Sequence, residues 1–441
     1  MKLLAQCRRV AFWAMDTLKG AQVRTAYNEI KRCDMMDSDN SFVKNHQKKA
    51  WAQLKAHATE TTDFYSSLAD LRLSEFPIIT KNDIRFRQEA FMSSSYKKEN
   101  LIQMATSGST GTPFICYQDV RKKKRVNAEI IYYSEKVGYR LGDNLSYIRT
   151  IVRQVKKTKW KQFLQNQTLI NCRTLDDAGI SEMIIELQNQ SKKGNLTLLG
   201  YASTYTALLK YLEKKNIMSI PNCNVTGAIS GSEMLYDSVR EGISQRFGGI
   251  NVVSRYSNEE NGVIGQDEGI NNVFPINEAD YIVEIVDDDG RKVPNGVTGR
   301  IVVTDLYNYA MPMIRYDTGD AGAIDNFEIN GRNKKCICNF SGRKVDVIFD
   351  TTGKAISPFL ITNHMWSFPN ISQFQLIQKD EKKYELKLNV SEDNYNCQND
   401  VVELLKSLIG SDADIIVELV DEIPVLASGK RRYIVNEWKK A

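Results

Sequence analysis

Histidine is scarce in this chain. Only His46, His57 and His364 occur in 441 residues, all far in sequence from the one close pair of cysteines, Cys336 and Cys338. A zinc site at that pair would have to recruit its remaining ligands from distant segments. The eight cysteines are scattered and include no CxxC, which argues against a disulfide framework and for a reduced, cytoplasmic protein. A dominant charge is missing as well. Lys plus Arg total 59 against 54 Asp plus Glu, and a net charge of +5 is too small to argue for nucleic acid. The apolar N-terminal stretch is interrupted by Arg8 and Arg9, which excludes a clean secretory h-region or a spanning helix there. No internal repeat and no low-complexity tract is present.

What remains is the composition of a globular protein long enough for two domains. Residues 1–100 read as mostly helical. Leu3, Leu4, Cys7, Val10, Ala11, Ala14 and Leu18 recur at helical spacing. The expectation is an amphipathic helix that packs this stripe on the body. The alternative is a peripheral membrane helix, with Lys2, Arg8, Arg9 and Lys19 near anionic headgroups. Pro77 breaks the pattern, and Thr80 is placed to cap a helix over "KNDIRFRQEA". The basic run Arg121–Arg125 reads as a solvated loop or helix face.

Residues 224–256 carry a clearer signal. "NVTGAIS" is a short apolar run, "MLYDSVREGISQRFGG" has helical spacing, and "INVVSRY" is a second β-branched run. Strand, helix and strand over so short a span predict a βαβ unit in a parallel sheet. Ligands of such sheets bind beyond the carboxyl ends of the strands, here Gly231-Ser232-Glu233 and Tyr256-Ser257-Asn258. "YIVEIVDDDGRKVPNGVTGRIVVTDL" then reads as two antiparallel strands. After "SGRKVDVIF" the order becomes hairpin, helix, strand. The fold expected is α/β: a large N-terminal domain (1–342) with mixed and parallel sheets, and a small α+β domain (343–441).

Four segments carry candidate chemistry. "TSGSTGTPF", residues 106–114, is a glycine- and hydroxyl-rich loop able to cradle an anion with backbone N–H groups, or simply a turn joining strands. It is no Walker A motif, because no Gly-Lys-Ser/Thr follows it. In "RYSNEENG", Glu259 and Glu260 follow a strand end and suit either a magnesium ligand or a solvated acidic turn. In "RYDTGD", residues 315–320, two aspartates suit ribose hydroxyls or an Asx-type turn. In "PVLASGKRR", Lys430 follows a Ser-Gly turn and suits either charge neutralisation in a cleft or a basic surface tail.

Taken in this order, "TSGSTGTP", "YSNEE", "RYDTGD" with "SGRKVDVI", and "ASGK" resemble the adenylate-forming (AMP-binding) superfamily of acyl-CoA synthetases. Within it the chain is most similar to the phenylacetate-CoA ligase-like branch and its CapK-like capsular polysaccharide biosynthesis proteins. The resemblance implies an acid-thiol ligase that uses ATP, Mg2+ and coenzyme A on a small carboxylic acid. A carrier protein, an amine or a sugar is the alternative acceptor, and a non-catalytic nucleotide-binding scaffold is the alternative of another class. It implies an ATP site from Thr106, Ser107, Gly108, Ser109, Thr110, Gly111 and Thr112, with adenine walls from Gly231, Ser232, Glu233, Tyr256 and Ser257. Asp320 and Arg343 are implied at the ribose, Glu260 at Mg2+, and Lys430 on a mobile C-terminal domain as the lysine that assists adenylation. Lys430, Glu260 and Thr110 are thus the implied catalytic residues, and Tyr201, Ala202 and Ser203 border the implied acyl pocket.

Overall fold

The computed structural model describes residues 2–106, 114–149, 166–171, 177–231, 233–343, 348–353, 355–356, 361, 364–365, 368, 370–390, 398–424 and 432–438. The chain divides into two compact units. One comprises Met1–Thr318 with Gly322–Asn339, the other Gly319–Ala321 with Phe340–Ala441.

The larger unit begins with helices Lys2–Leu18, Gln22–Asp34 and Ser41–Thr61. Thr80 caps as its sequence predicts: its hydroxyl accepts from Asp83 N, and the Asp83 carboxylate accepts from Thr80 N. The predicted single helix after it is two short ones, Lys81–Phe86 and Gln88–Phe91, parted at Arg87. Strands β1 (Ile102–Thr106) and β2 (Phe114–Gln118) form an antiparallel ribbon that closes on the pair Thr106 and Phe114.

The central sheet contains β3 (Asn144–Arg149), β4 (Gln167–Asn171), β5 (Leu196–Tyr201), β6 (Val225–Gly231), β7 (Asn251–Asn258) and β8 (Gly262–Gln266), in the order β4-β3-β5-β6-β7-β8. All neighbours pair in parallel except β8, which returns antiparallel along β7. Helices Asp177–Ser191, Ala202–Lys214 and Asp237–Arg246 connect the strands. Their Met183, Leu187, Leu208, Leu212, Val239 and Ile243 bury against Ile148, Leu198, Ala228 and Val252. Ile229 and Val253 pack with Val137 in a separate cluster. Strands with apolar packing on both faces give the near-continuous apolar runs read from the sequence. The predicted βαβ unit is β6, helix Asp237–Arg246 and β7.

A second sheet joins β9 (Phe274–Pro275), β10 (Tyr281–Val286), β11 (Gly299–Asp305), β12 (Tyr316–Ile329) and β13 (Arg332–Arg343) in the order β10-β11-β12-β13-β9. The predicted antiparallel pair is β10 and β11, registered from Tyr281 opposite Asp305 to Val286 opposite Arg300. In the small unit, β14 (Ile348–Phe349) pairs with β15 (Ala355–Ile356). A four-stranded sheet joins β16 (Ile371–Gln378), β17 (Lys383–Val390), β18 (Asp414–Leu419) and β19 (Ile434–Asn436) in the order β18-β17-β16-β19. Helix Gln398–Ile409 covers it, with Val401, Leu405 and Ile409 against Phe374, Leu376, Leu386 and Leu388.

Two further expectations fail. The first helix does not pack its predicted stripe on the body. Leu3, Leu4, Cys7, Val10, Ala11, Ala14 and Leu18 are all exposed. Phe12 and Trp13 pack inward instead, beside Val23, Ala26 and Ile30. The aromatic pair offers more area per residue than the stripe's small and aliphatic side chains, and so takes the core. The basic run Arg121–Arg125 is not a solvated face either. It lies in the first turns of helix Val120–Glu135, and Lys122 and Arg125 are buried. Lys122 Nζ lies 2.9 Å from Asp305 Oδ2 and 3.7 Å from Glu129 Oε1, while Arg125 bridges Asp280 at 2.5 Å and Glu29 at 2.7 Å. Buried cations persist because each finds carboxylates to pair with.

Candidate active site

The carboxyl edge of the central sheet gathers candidates from three adjacent strands. Tyr201 on β5 registers with Gly231 on β6, and Gly231 registers with Arg255 on β7. Tyr201–Ser203, Gly231 with Glu233, and Tyr256 with Ser257 therefore sit at neighbouring strand ends, about 5 Å apart from strand to strand. Ser232 lies outside the described residues.

One contact ties the implied acyl pocket to the implied adenine wall. Ser203 N donates to Glu233 Oε2 at 2.8 Å. Helix Ala202–Lys214 has Tyr201 at its N-cap, which supplies no side-chain acceptor. Glu233 reaches across from the next strand end and takes over that role, satisfying an orphan N–H and facing the positive end of the helix dipole. Tyr256 is buried, and its hydroxyl bonds Thr318 Oγ1 at 3.2 Å.

Glu260 lies in the turn between β7 and β8 and is 1% exposed. It is not a solvated acidic turn residue. Its Oε1 accepts from Tyr316 OH at 2.9 Å and pairs with Lys81 Nζ at 2.6 Å. Gln118 Nε2 donates to its backbone oxygen at 3.0 Å. The turn is locked from behind by Glu129, whose Oε2 accepts from Val263 N at 2.7 Å. Gly262, at φ 130°, lies against that carboxylate and the Tyr281 hydroxyl, where no side chain fits.

The sequence motifs do not single out Lys81 or the role of Tyr316. A signal exists for Lys81: it directly follows the N-cap Thr80, where a cation opposes the helix dipole and calls for a compensating anion. The sequence does not say which anion.

The "RYDTGD" segment is not an Asx-type turn. Residues 316–320 run within β12, with Gly319 at φ 80°. Arg315 is buried and directs Nη1 to the carbonyls of Ser74 and Phe76 and Nε to Glu284. Asp317 pairs with Arg300 at 2.7 Å. Asp320, half-buried on β12, belongs to the smaller unit.

Of the remaining candidates, Thr106 ends β1 and Arg343 ends β13. Ser107, Gly108, Ser109, Thr110, Gly111, Thr112 and Lys430 lie outside the described residues. Cys336 and Cys338 lie on β13 in a cluster with Val273, Ala323 and Ile329, where burial pushes the Cys336 thiol up to about 12.

Among the described residues, no group of three or more His, Cys, Asp or Glu side chains converges as a ready-made metal cage. Magnesium rarely needs one, since one or two carboxylates plus substrate phosphates suffice. Glu260 fits that role as a single carboxylate, although Lys81 already shares its charge.

Comparisons with known proteins agree with this architecture. Residues 348–437 match the family model described as the CapK C-terminal domain. The chain is 24% identical over 445 residues to Protein CapK of Staphylococcus aureus, covering 96% of this chain and 94% of the relative. Its fold is similar to that of a 2-hydroxyisobutyryl-CoA ligase solved in the postadenylation state with an acyl-AMP, with a TM-score of 0.71 at 15% identity over 91% of both chains. It is also similar to the anthranilate CoA ligase AuaEII in complex with anthranoyl-AMP, with a TM-score of 0.56 at 14% identity over 77% of this chain and 67% of that one. The resemblance drawn from the motifs stands: this is the α/β fold of the acyl-CoA ligases, with a CapK-type C-terminal domain.

Proposed function

We propose, from an acyl-CoA ligase fold ending in a CapK-type domain, that the protein is an adenylate-forming enzyme. A substrate carboxylate attacks the α-phosphorus of ATP, an oxygen–phosphorus bond forms, and pyrophosphate leaves. A thiol, that of coenzyme A in this reading, then attacks the acyl carbon and AMP departs. Cell-surface polysaccharide biosynthesis is the setting suggested by the CapK likeness, and the cytoplasm, where ATP and coenzyme A are found, is the compartment.

One observation carries the reading. The residues matched to the acyl pocket and the adenine wall meet through the Ser203–Glu233 bond at the carboxyl edge of the parallel sheet, where open α/β sheets take their ligands. An acyl group and an adenine bound at adjacent strand ends would present the carboxylate to the α-phosphate, so positioning supplies much of the rate. Buried Glu260 would hold magnesium together with the substrate phosphates, and the ion would offset charge on the departing pyrophosphate. Lys430 would add positive charge from the small domain, and Asp320 would hold the ribose. Rotation of that domain between half-reactions is part of the proposal.

The test is pyrophosphate release over a panel of aryl, hydroxy, amino and fatty acids, with coenzyme A or a phosphopantetheinyl carrier as acceptor. Acid-dependent release, followed by a thioester on coenzyme A, is the expected result. ATP binding without release across the panel would leave the scaffold reading in its place.

A further inference from the structure

The geometry points to a second working surface: helix Lys2–Leu18 docks the protein on an anionic membrane surface. Its two faces are sharply divided. The inner face is anchored at several points. Phe12 and Trp13 pack into the cluster around Val23, Ala26 and Ile30. Buried Asp16 accepts from Val23 N at 3.0 Å and Arg24 N at 2.9 Å, and Arg9 Nε donates to the carbonyl of Leu141. The helix therefore cannot roll to bury its other side.

That other side is apolar and open. Leu18 is 87% exposed, Leu3 72%, Val10 68%, Met15 53% and Leu4 50%, with Cys7, Ala11 and Ala14 exposed among them. At 100° per residue these side chains fall within an arc of roughly 140°. No acidic residue lies in it. Exposed large apolar side chains are common singly, but a continuous stripe along four turns of an anchored helix is a contact surface.

Charge identifies the occupant. The first 28 residues hold five basic side chains, Lys2, Arg8, Arg9, Lys19 and Arg24, and one acidic one, Asp16, which is buried. Four of the chain's five net positive charges thus belong to this short segment. Arg9, Arg24 and Arg140 also line a groove beside the helix with Trp13, Tyr139 and one carboxylate, Glu135, which accepts from Tyr27 OH, so the groove keeps a net positive lining. An apolar stripe in a basic surround matches an anionic lipid interface, whereas a second copy would bring like charges together. Among the described residues no helix is long and apolar enough to cross a membrane, so the helix lies on the surface rather than through it. Membrane docking through this helix does not depend on the reaction proposed above.

Flotation of the full chain with vesicles tests it. Vesicles of phosphatidylcholine with phosphatidylglycerol should carry the protein, phosphatidylcholine alone should not, and added salt should weaken capture. Val10→Asp with Leu18→Asp alters only exposed positions, so its melting temperature should match the parent while the vesicle-bound fraction falls about tenfold. Absence of capture by anionic vesicles, equal capture by neutral ones, or capture unaffected by the double substitution would overturn the proposal. So would self-association in sedimentation that the same substitution abolishes, because the stripe would then be covered by another copy.

Discussion

Lys81 Nζ lies 2.6 Å from Glu260 Oε1 and joins two segments nearly 180 residues apart. The carboxylate is buried while the lysine is partly open, and Tyr316 completes the group with a second bond to the same oxygen. The pair fixes the turn after β7 against the helix that Thr80 caps.

Removing the lysine should leave a buried carboxylate with one bond fewer and no counter-charge. Lys81→Met is expected to cost about 2 kcal/mol, below the range for fully buried pairs because Lys81 is partly solvated. In a Glu260→Gln background the same substitution should cost far less. Urea denaturation of the four proteins measures this coupling, and equal costs in both backgrounds would show that the pair contributes nothing. Under the proposed function, Glu260→Gln should also reduce magnesium-dependent pyrophosphate release.

Burial drives the Glu129 carboxyl well above its ordinary value, against the pull of Lys122 and with the charge of Asp280 adding to the rise. Asp280 is held low: burial would raise it, but Arg125 and its other partners more than offset this. The folded protein binds the Glu129 proton more tightly than the unfolded chain does. In unfolded chains its carboxyl loses its proton near the ordinary value of 4.5, while the folded protein keeps it. Stability from this group is full below that value and declines as pH rises toward the folded one. Glu129→Gln holds the neutral form, accepts from Val263 N as before, and removes the decline. Denaturant midpoints at about pH 5 and about pH 8 should therefore differ less in Glu129→Gln than in the parent. Parallel pH profiles would show that Glu129 ionises normally in the fold.

Two substitutions separate binding from chemistry in the proposed reaction. Lys430→Ala should retain ATP binding but lose adenylation on the order of 100-fold, the scale of removing one charge-stabilising donor. Asp320→Ala should weaken ATP binding, because a ribose partner is lost from a polar site. Calorimetry with ATP and pyrophosphate exchange read the two separately. Wild-type exchange in Lys430→Ala would remove that lysine from the mechanism.

Several elements are legible in the amino-acid order itself. The βαβ unit of β6 and β7 follows from period and length, the β10–β11 pair from alternation, and the Thr80 cap from a residue type with a local partner. All depend on neighbours in sequence. The elements that sequence patterns misplace depend on distant ones. Arg121–Arg125 looks solvated until Asp305, Glu129 and Asp280 are found around Lys122 and Arg125. Of the two readings of "RYDTGD", the turn drops out once its strand neighbour, carrying Arg300, engages Asp317.

The sequence by itself determined the βαβ unit of the parallel sheet, the β10–β11 pair and the hairpin, helix and strand of the small unit, because hydrophobic period and turn chemistry are local. Only the tertiary structure decided which face of the first helix is covered. Helical spacing marks an apolar stripe, but whether that stripe meets protein or solvent depends on what competes for the core. Here Phe12 and Trp13 won the contact with the second helix and left the predicted stripe outside. The same holds for Glu260, whose burial and whose partner Lys81 exist only once β8 turns back along β7 and brings the carboxylate under the helix that begins at Lys81.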